Sequence, residues 1–153
     1  MTIEEKLNQM GIILPPAASP AGAYIPTVQS GSLLFVSGQL PIRDGKVIYR
    51  GKVAHEKDIP NAQQAARLAV INALAALDKK LETLTKVQQI IRLEVFVNSG
   101  PGFTDQAQVA NGASQLLHRL FDSPGRHTRI AVGVAELPLD AMVELALIVE
   151  IKP

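Results

Sequence analysis

The sequence predicts an α+β domain: a mixed β-sheet carrying two helices on one face, with a small helix in front. Three observations predict it. Two long segments, near Asp58 to Leu81 and Thr104 to Phe121, place apolar residues at helical spacing. The stretches around and between them alternate apolar and polar residues with the period of a half-buried strand. Clusters of Gly, Pro, Ser and Asp separate these segments. The resulting order, β-β-β-α-β-α-β-β behind a short helix, gives a two-layer domain.

Taken in order, Thr2 caps a short helix, with Glu5 as the other half of a capping box. Ile3, Leu7 and Met10 form its apolar face and Gly11 can end it. Residues 14–22 contain three prolines and form an extended lead-in, too short to separate domains. Residues 1–153 therefore form one domain, with 1–20 as N-terminal helix and lead-in. Tyr24 to Gln29 is a first strand. Leu33 to Ser37 is a second, ending at Gly38-Gln39-Leu40-Pro41. Asp44-Gly45 is a hairpin turn into a short third strand, Val47 to Tyr49. The first long helix takes Asp58 as N-cap and Pro60 in its first turn. Its stripe of Ala62, Ala65, Ala66, Ala69 and Ala73 implies close approach to a sheet. Val87 to Asn98 is a strand, broken by Ser99-Gly100-Pro101-Gly102. In the second long helix, Asn111-Gly112 is a poor choice for a helix middle and points to something packed closely there.

The stretch from Arg126 to Leu145 reads as two strands joined by a turn at Pro138-Leu139, a hairpin pairing Leu137 with Asp140. In that register Arg129, Ala131 and Gly133 share a face with Glu144, Ala146 and Ile148. Ile130, Val132 and Val134 join Val143, Leu145, Leu147 and Val149 on the core face. Arg129 and Glu144 are then about four strand positions apart, on the order of 13 Å. Within one chain they would not touch; they meet other partners or frame a cleft. The non-core face, with Phe96, Ala131, Ala146 and Ile148, is left uncovered, and oligomerisation is the economical way to cover it.

Composition narrows the function. Hydrophobic residues make up 47% and charged residues 19%, as in a globular chain. Fifteen Lys and Arg against 14 Asp and Glu supply no basic field, which argues against broad binding of nucleic acid. There is no cysteine, so no disulfide, thiol nucleophile or thiolate metal site. His55, His118 and His127 have no metal-ligand spacing. No signal peptide opens the chain and no apolar segment reaches membrane-spanning length, so a soluble, cytoplasmic protein is the default.

Arg129 in a cleft can hold a carboxylate with a bidentate fork, and Glu144 can activate water. An ion pair across a subunit interface explains the same two residues equally well. Ser37-Gly38 suits close approach of a ligand to backbone, though an ordinary strand end would look the same. Tyr24 reads as a rim aromatic, and His127 as a solvated loop histidine or a general base. The glycines near Gly22 and Gly31 lack phosphate-loop spacing.

Together, Tyr24, the run Phe35-Val36-Ser37-Gly38-Gln39-Leu40-Pro41, Val95-Phe96-Val97, Asn111, Arg129, Val134-Ala135-Glu136-Leu137-Pro138 and Val143-Glu144 resemble the reactive intermediate deaminase family, also called YjgF or Rid. The resemblance spans about Ala21 to Ile151. It implies a chorismate-mutase-like fold, a homotrimer around a central barrel, and sites in clefts between subunits. It also implies hydrolysis of reactive enamines and imines, such as 2-aminoacrylate, to 2-oxo acids and ammonia without a cofactor; the lack of cysteine and of paired histidines adds the expectation that no metal is needed. By this resemblance Arg129 holds the substrate carboxylate, Glu144 positions water, and Tyr24, Ser37, Gly38 and Asn111 line the pocket. Some relatives are described as endoribonucleases or translation inhibitors; this chain offers no histidine pair or basic groove for RNA cleavage. A binding module that holds small carboxylates without turnover is the other reading. The chain departs from the family pattern at His127-Thr128, where Pro-Ala is common, and at Ala131, often cysteine. It also has a longer N-terminal helix and a longer loop at 50–58, which implies a divergent subgroup with a reshaped pocket.

Overall fold

The structure, a computed structural model, describes residues 1–20 and 22–153; Ala21, at the start of the resemblance, lies outside them. The chain opens with α1 (Ile3–Gln9), where the expected capping box is present. Thr2 Oγ1 accepts the Glu5 N–H at 3.0 Å and the Glu5 carboxylate accepts the Thr2 N–H at 2.7 Å. A five-stranded sheet follows in the spatial order β1 (Thr27–Ser30), β2 (Leu33–Gln39), β7 (Val143–Ile151), β5 (Val87–Asn98), β6 (Thr128–Val134). Only the β5–β6 pair is parallel. Two helices cover one face: α2 (Ile59–Leu81) packs over β2 and β7, and α3 (Gln106–Phe121) over β5 and β6.

The core lies between these layers. Leu34, Val36, Leu93, Val95, Val97, Leu145, Leu147 and Val149 point into it from the sheet. Ala62, Ala65, Ala66, Ala69 and Ala73 are fully buried, so α2 lies close to its neighbours. Gly112 takes this furthest. A Cβ there would stand 2.2 Å from the carbonyl oxygen of Gln63, so α3 crosses α2 backbone to backbone at that point. This is the close packing that Asn111-Gly112 suggested. Asn72, buried on α2, donates to the carbonyls of Leu40 at 2.9 Å and Ile42 at 3.0 Å and pins the helix to the corner after β2.

Several expectations change. The Asp44-Gly45 turn forms, with φ of 52° and 77°, but it joins β3 (Ile42–Arg43) to β4 (Lys46–Val47) in a separate two-stranded ribbon. The strand expected at Val47 to Tyr49 is thus not part of the main sheet. The first strand begins at Thr27, which leaves Tyr24 in the irregular lead-in. Asp58 makes no cap bond to α2; its carboxylate accepts the N–H groups of Ala54 and His55, both at 3.0 Å.

The largest correction concerns the expected hairpin. β6 and β7 are not paired; β5 lies between them. The connection from β6 crosses over the end of β5, through a turn in which Leu139 and Asp140 are both left-handed, at φ 56° and 58°. Asn98, the last residue of β5, holds that crossing. Its N–H donates to Met142 O at 2.9 Å, and its side-chain amide donates to Ala141 O at 3.1 Å and the Asp140 carboxylate at 3.3 Å. In the parallel pairing, Arg129, Ala131 and Gly133 lie beside Leu93, Val95 and Val97 on the helix face. Glu144 lies beside Phe96, on the opposite face, with Ala146 and Ile148. Arg129 and Ala131 therefore leave the face they were expected to share with Glu144. Ile130 and Val132 take their place on the open face, where Val28, Phe35 and Ile130 are 51%, 40% and 38% exposed.

Candidate functional site

The residues singled out in the sequence fall into two separate groups. The first surrounds Glu144 near the start of β7. A bulge in β2 sets three residue steps, Val36 to Gln39, against two on β7, Leu147 to Leu145. The bulge puts Gly38 directly under the Glu144 side chain. A Cβ on Gly38 would stand 2.3 Å from Glu144 Oε1, so only glycine leaves room for the carboxylate in this position. Ser37 is held alongside: its N–H donates to Pro26 O at 2.8 Å and its hydroxyl to Ile25 O at 2.6 Å. Tyr24 stands at the start of the same segment, half exposed, its ring against Gly22.

Glu144 is half-buried, and burial pushes its carboxyl above the usual glutamate range. Among the described residues it has no hydrogen-bonding or ionic partner. A desolvated carboxylate with a raised pKa is a stronger base toward a proton of water than an exposed one.

The second group lies on the other face of the sheet, at its β6 edge. Arg129, near the start of β6, reaches α3. Its Nη1 donates to Asn111 Oδ1 at 2.8 Å and to Ser114 Oγ at 3.1 Å. Ser114 is also 2.9 Å from His127 Nε2, and His127 Nδ1 is 2.7 Å from the carbonyl oxygen of Gly125. Asn111 thus touches Arg129, one residue before the Gly112 crossing that fixes the height of α3. Ser114 was not foreseen; a serine on the polar side of a helix carries no signal in the sequence.

Tyr24 precedes the Ile25-Pro26 segment that holds Ser37. One chain therefore brings Gly38, with Ser37 beside it, to Glu144, and separately Asn111 to Arg129. It does not bring the two groups to each other: β5 and β7 separate β6 from β2, and the two charged groups project from opposite faces.

A family model described as "YjgF/chorismate mutase-like, putative endoribonuclease" matches residues 4–151. The chain belongs to the YjgF/Rid family. The observed α+β architecture is the fold of that family. Protein TCP17 of Trypanosoma cruzi is 42% identical over 151 residues, covering 98% of this chain and 94% of that protein. A 2-iminobutanoate/2-iminopropanoate deaminase of Dermatophagoides farinae is 30% identical over 145 residues, 92% of this chain and 95% of that protein. Among solved structures, the protein Atu1372 of Agrobacterium tumefaciens, described as of unknown function, superimposes with a TM-score of 0.89 at 44% identity, covering 98% of this chain and 92% of that one. The chorismate-mutase-like fold expected from the resemblance is present; the hairpin expected between β6 and β7 is not. Among the described residues, no helix is long and apolar enough to cross a membrane.

Proposed function

We propose that this YjgF/Rid chain is a cofactor-independent enamine/imine deaminase, hydrolysing intermediates such as 2-aminoacrylate to 2-oxo acids and ammonia. The observation that carries the reading is Glu144, a half-buried carboxylate without a partner among the described residues, lying over a glycine that leaves room for it. The likeness to an imine deaminase over nearly the whole chain supports it.

In this reading Arg129 of one copy and Glu144 of another face a shared cleft. Separation of the two groups on opposite faces fits a site completed by a second copy, and the apolar open face gives a reason for copies to associate. A homotrimer follows from the family resemblance. Arg129 binds the carboxylate of the 2-imino acid that forms when the enamine takes a proton at its terminal carbon. Glu144 takes a proton from water as the oxygen bonds to the imine carbon. The resulting carbinolamine expels ammonia as its nitrogen gains a proton and its hydroxyl loses one, leaving the C=O of the 2-oxo acid. Water supplies the oxygen, and no electron acceptor is needed.

The test is purified protein mixed with freshly generated 2-aminoacrylate, following pyruvate and ammonia. Faster release of both supports the deaminase. Saturable pyruvate binding without turnover replaces it with a carboxylate-binding module. Light scattering at micromolar concentration should give three times the 16.4 kDa chain mass; a clean monomer overturns the inter-subunit site.

A further inference from the structure

Arg129 is joined to a histidine through one serine, and the chemistry of each atom orders the whole chain of hydrogen bonds. A carbonyl oxygen can only accept, so the bond between His127 Nδ1 and Gly125 O puts the ring proton on Nδ1. In the neutral ring, Nε2 is then an acceptor. The Ser114 hydroxyl donates its proton to Nε2, and its oxygen is left to accept from Arg129 Nη1. Nη1 has two hydrogens; one goes to Ser114 and the other to Asn111 Oδ1. The inner corner of the guanidinium is thereby fully used. Nε and Nη2, which have no acceptor among the described residues, form the outward edge.

We infer that Ser114 and His127 are positioning residues for Arg129, fixing its Nη1 so that the Nε–Nη2 edge is the one offered to a carboxylate. The inference rests on the carboxylate role proposed for Arg129 and adds the residues that aim it. Side-on pairing through Nε and Nη2 makes two parallel hydrogen bonds in one plane, which sets the direction of the C–C bond to the reacting carbon. His127 stands where the family commonly has proline of a Pro-Ala pair, a residue with no ring nitrogen to offer; here the position carries the end of the network.

The network has a proton dependence that simple packing would lack. His127 is held below the usual histidine range, first by burial and then by the nearby positive charge of Arg129 and His118, against the raising effect of the Gly125 bond. The hollow of about 470 Å³ beside it is lined by Ser114, Gln115, His118, Arg119, Gly125, Arg126 and His127, with no carboxylate among them. On the sheet side, Arg129 is the charged group in contact with the network. A carboxylate on Arg129 would bring a negative charge to the Arg129 side of this cluster; Asp122, the carboxylate beside His118, is paired with Lys6. It should raise the pKa of His127, and by reciprocity carboxylate affinity should rise as pH falls through that pKa.

The experiment follows the His127 ring by NMR, assigned among the three histidines by its loss in His127→Gln. In the free protein, Arg129→Gln should raise the His127 pKa, because it removes a positive charge that holds it down. Saturating pyruvate should raise it in the wild type, and less so in Ser114→Ala, where the carboxylate is held less firmly. In binding assays, His127→Ala should weaken pyruvate several-fold. His127→Gln, whose amide oxygen can accept from Ser114, should recover affinity and lose the pH dependence. Absence of a His127 shift in Arg129→Gln, or in the wild type when pyruvate binds, overturns the inference. Failure of pyruvate to bind at all defeats the carboxylate role instead, and the shift in free Arg129→Gln still decides the network.

Discussion

Gly112→Ala tests the packing that sets the position of α3, and with it the height at which Asn111 meets Arg129. A methyl at Gly112 would begin 2.2 Å from the Gln63 carbonyl oxygen, 2.8 Å from its carbon and 2.9 Å from its Cα. All three are backbone atoms within α2, so no side-chain rotation relieves the contact. The helices must separate by roughly 1 Å to restore a normal carbon–oxygen distance. Overpacking of this kind costs typically 1–3 kcal/mol, and forced movement of a buried helix puts this site near about 3 kcal/mol. Alanine recovers about 1 kcal/mol through its better helix propensity. The net is a loss of about 2 kcal/mol, which lowers Tm by roughly 4–8 °C for a chain of this size. Urea and thermal unfolding, both at one fixed protein concentration because association shifts apparent stability, are the assay. A neutral or stabilised Gly112→Ala would show that the helices do not cross backbone to backbone and that Gly112 does not set where Asn111 meets Arg129.

Other predictions concern the two charged groups. Gly38→Ala meets only the end of the Glu144 side chain, so it should leave unfolding within about 1 kcal/mol of wild type while lowering deaminase turnover; equal turnover would detach Glu144 from the site. Glu144→Gln should lower kcat by about a hundredfold or more with little change in KM, because proton removal from water belongs to the transition state. Burial makes ionised Glu144 costlier in the folded than in the unfolded chain, a penalty absent below the unfolded pKa and complete above the raised folded one. The glutamine variant should therefore gain stability relative to wild type at neutral pH and lose that gain as pH falls toward the ordinary glutamate range; denaturant titrations at two pH values check the sign. Arg129→Lys should not restore oxo-acid binding, because an ammonium offers no planar fork; a loss of about 1.5–3 kcal/mol, roughly ten- to a hundredfold, is expected by calorimetry. A lysine variant near wild type, or an alanine variant that merely dissociates, would make Arg129 a structural ion-pair residue.

Much of the fold was legible because local chemistry and tertiary packing agree. The Thr2–Glu5 box, the Asp44-Gly45 turn and the alanine stripe of α2 each have one economical structural solution, and each is present. The pairing of β6 was not legible. Strands consecutive in sequence usually lie side by side, and the period-2 pattern of Thr128 to Val134 fits either face, since Ile130 and Val132 are apolar enough for a core and Ala131 and Gly133 small enough for one. What decides the matter is the long-range pairing with β5 and the Asn98 bonds that carry the chain across its end, and these connect residues some forty positions apart. The candidate site divides the same way. Ser37-Gly38 was visible as a motif, and its use, making room for Glu144, depends on a bulge seen only when β2 meets β7. Arg129 stood out by its charge, whereas Ser114 becomes notable only once α3 is laid against β6.

The placement of Arg129 and Glu144 on opposite faces has a consequence for mixtures of damaged chains. If, as proposed, each cleft takes Arg129 from one copy and Glu144 from the next, a chain lacking the arginine still donates a sound glutamate, and the reverse. Co-assembly of Arg129→Ala with Glu144→Gln, each inactive by itself, would by chance unite the two intact halves in about a quarter of the clefts of a cyclic assembly. Two null alleles could then rescue one another within a single cell, while two lesions in the same half never would. Allelic complementation, absent in an enzyme whose residues converge within one chain, would thus be written into the topology of β5, β6 and β7.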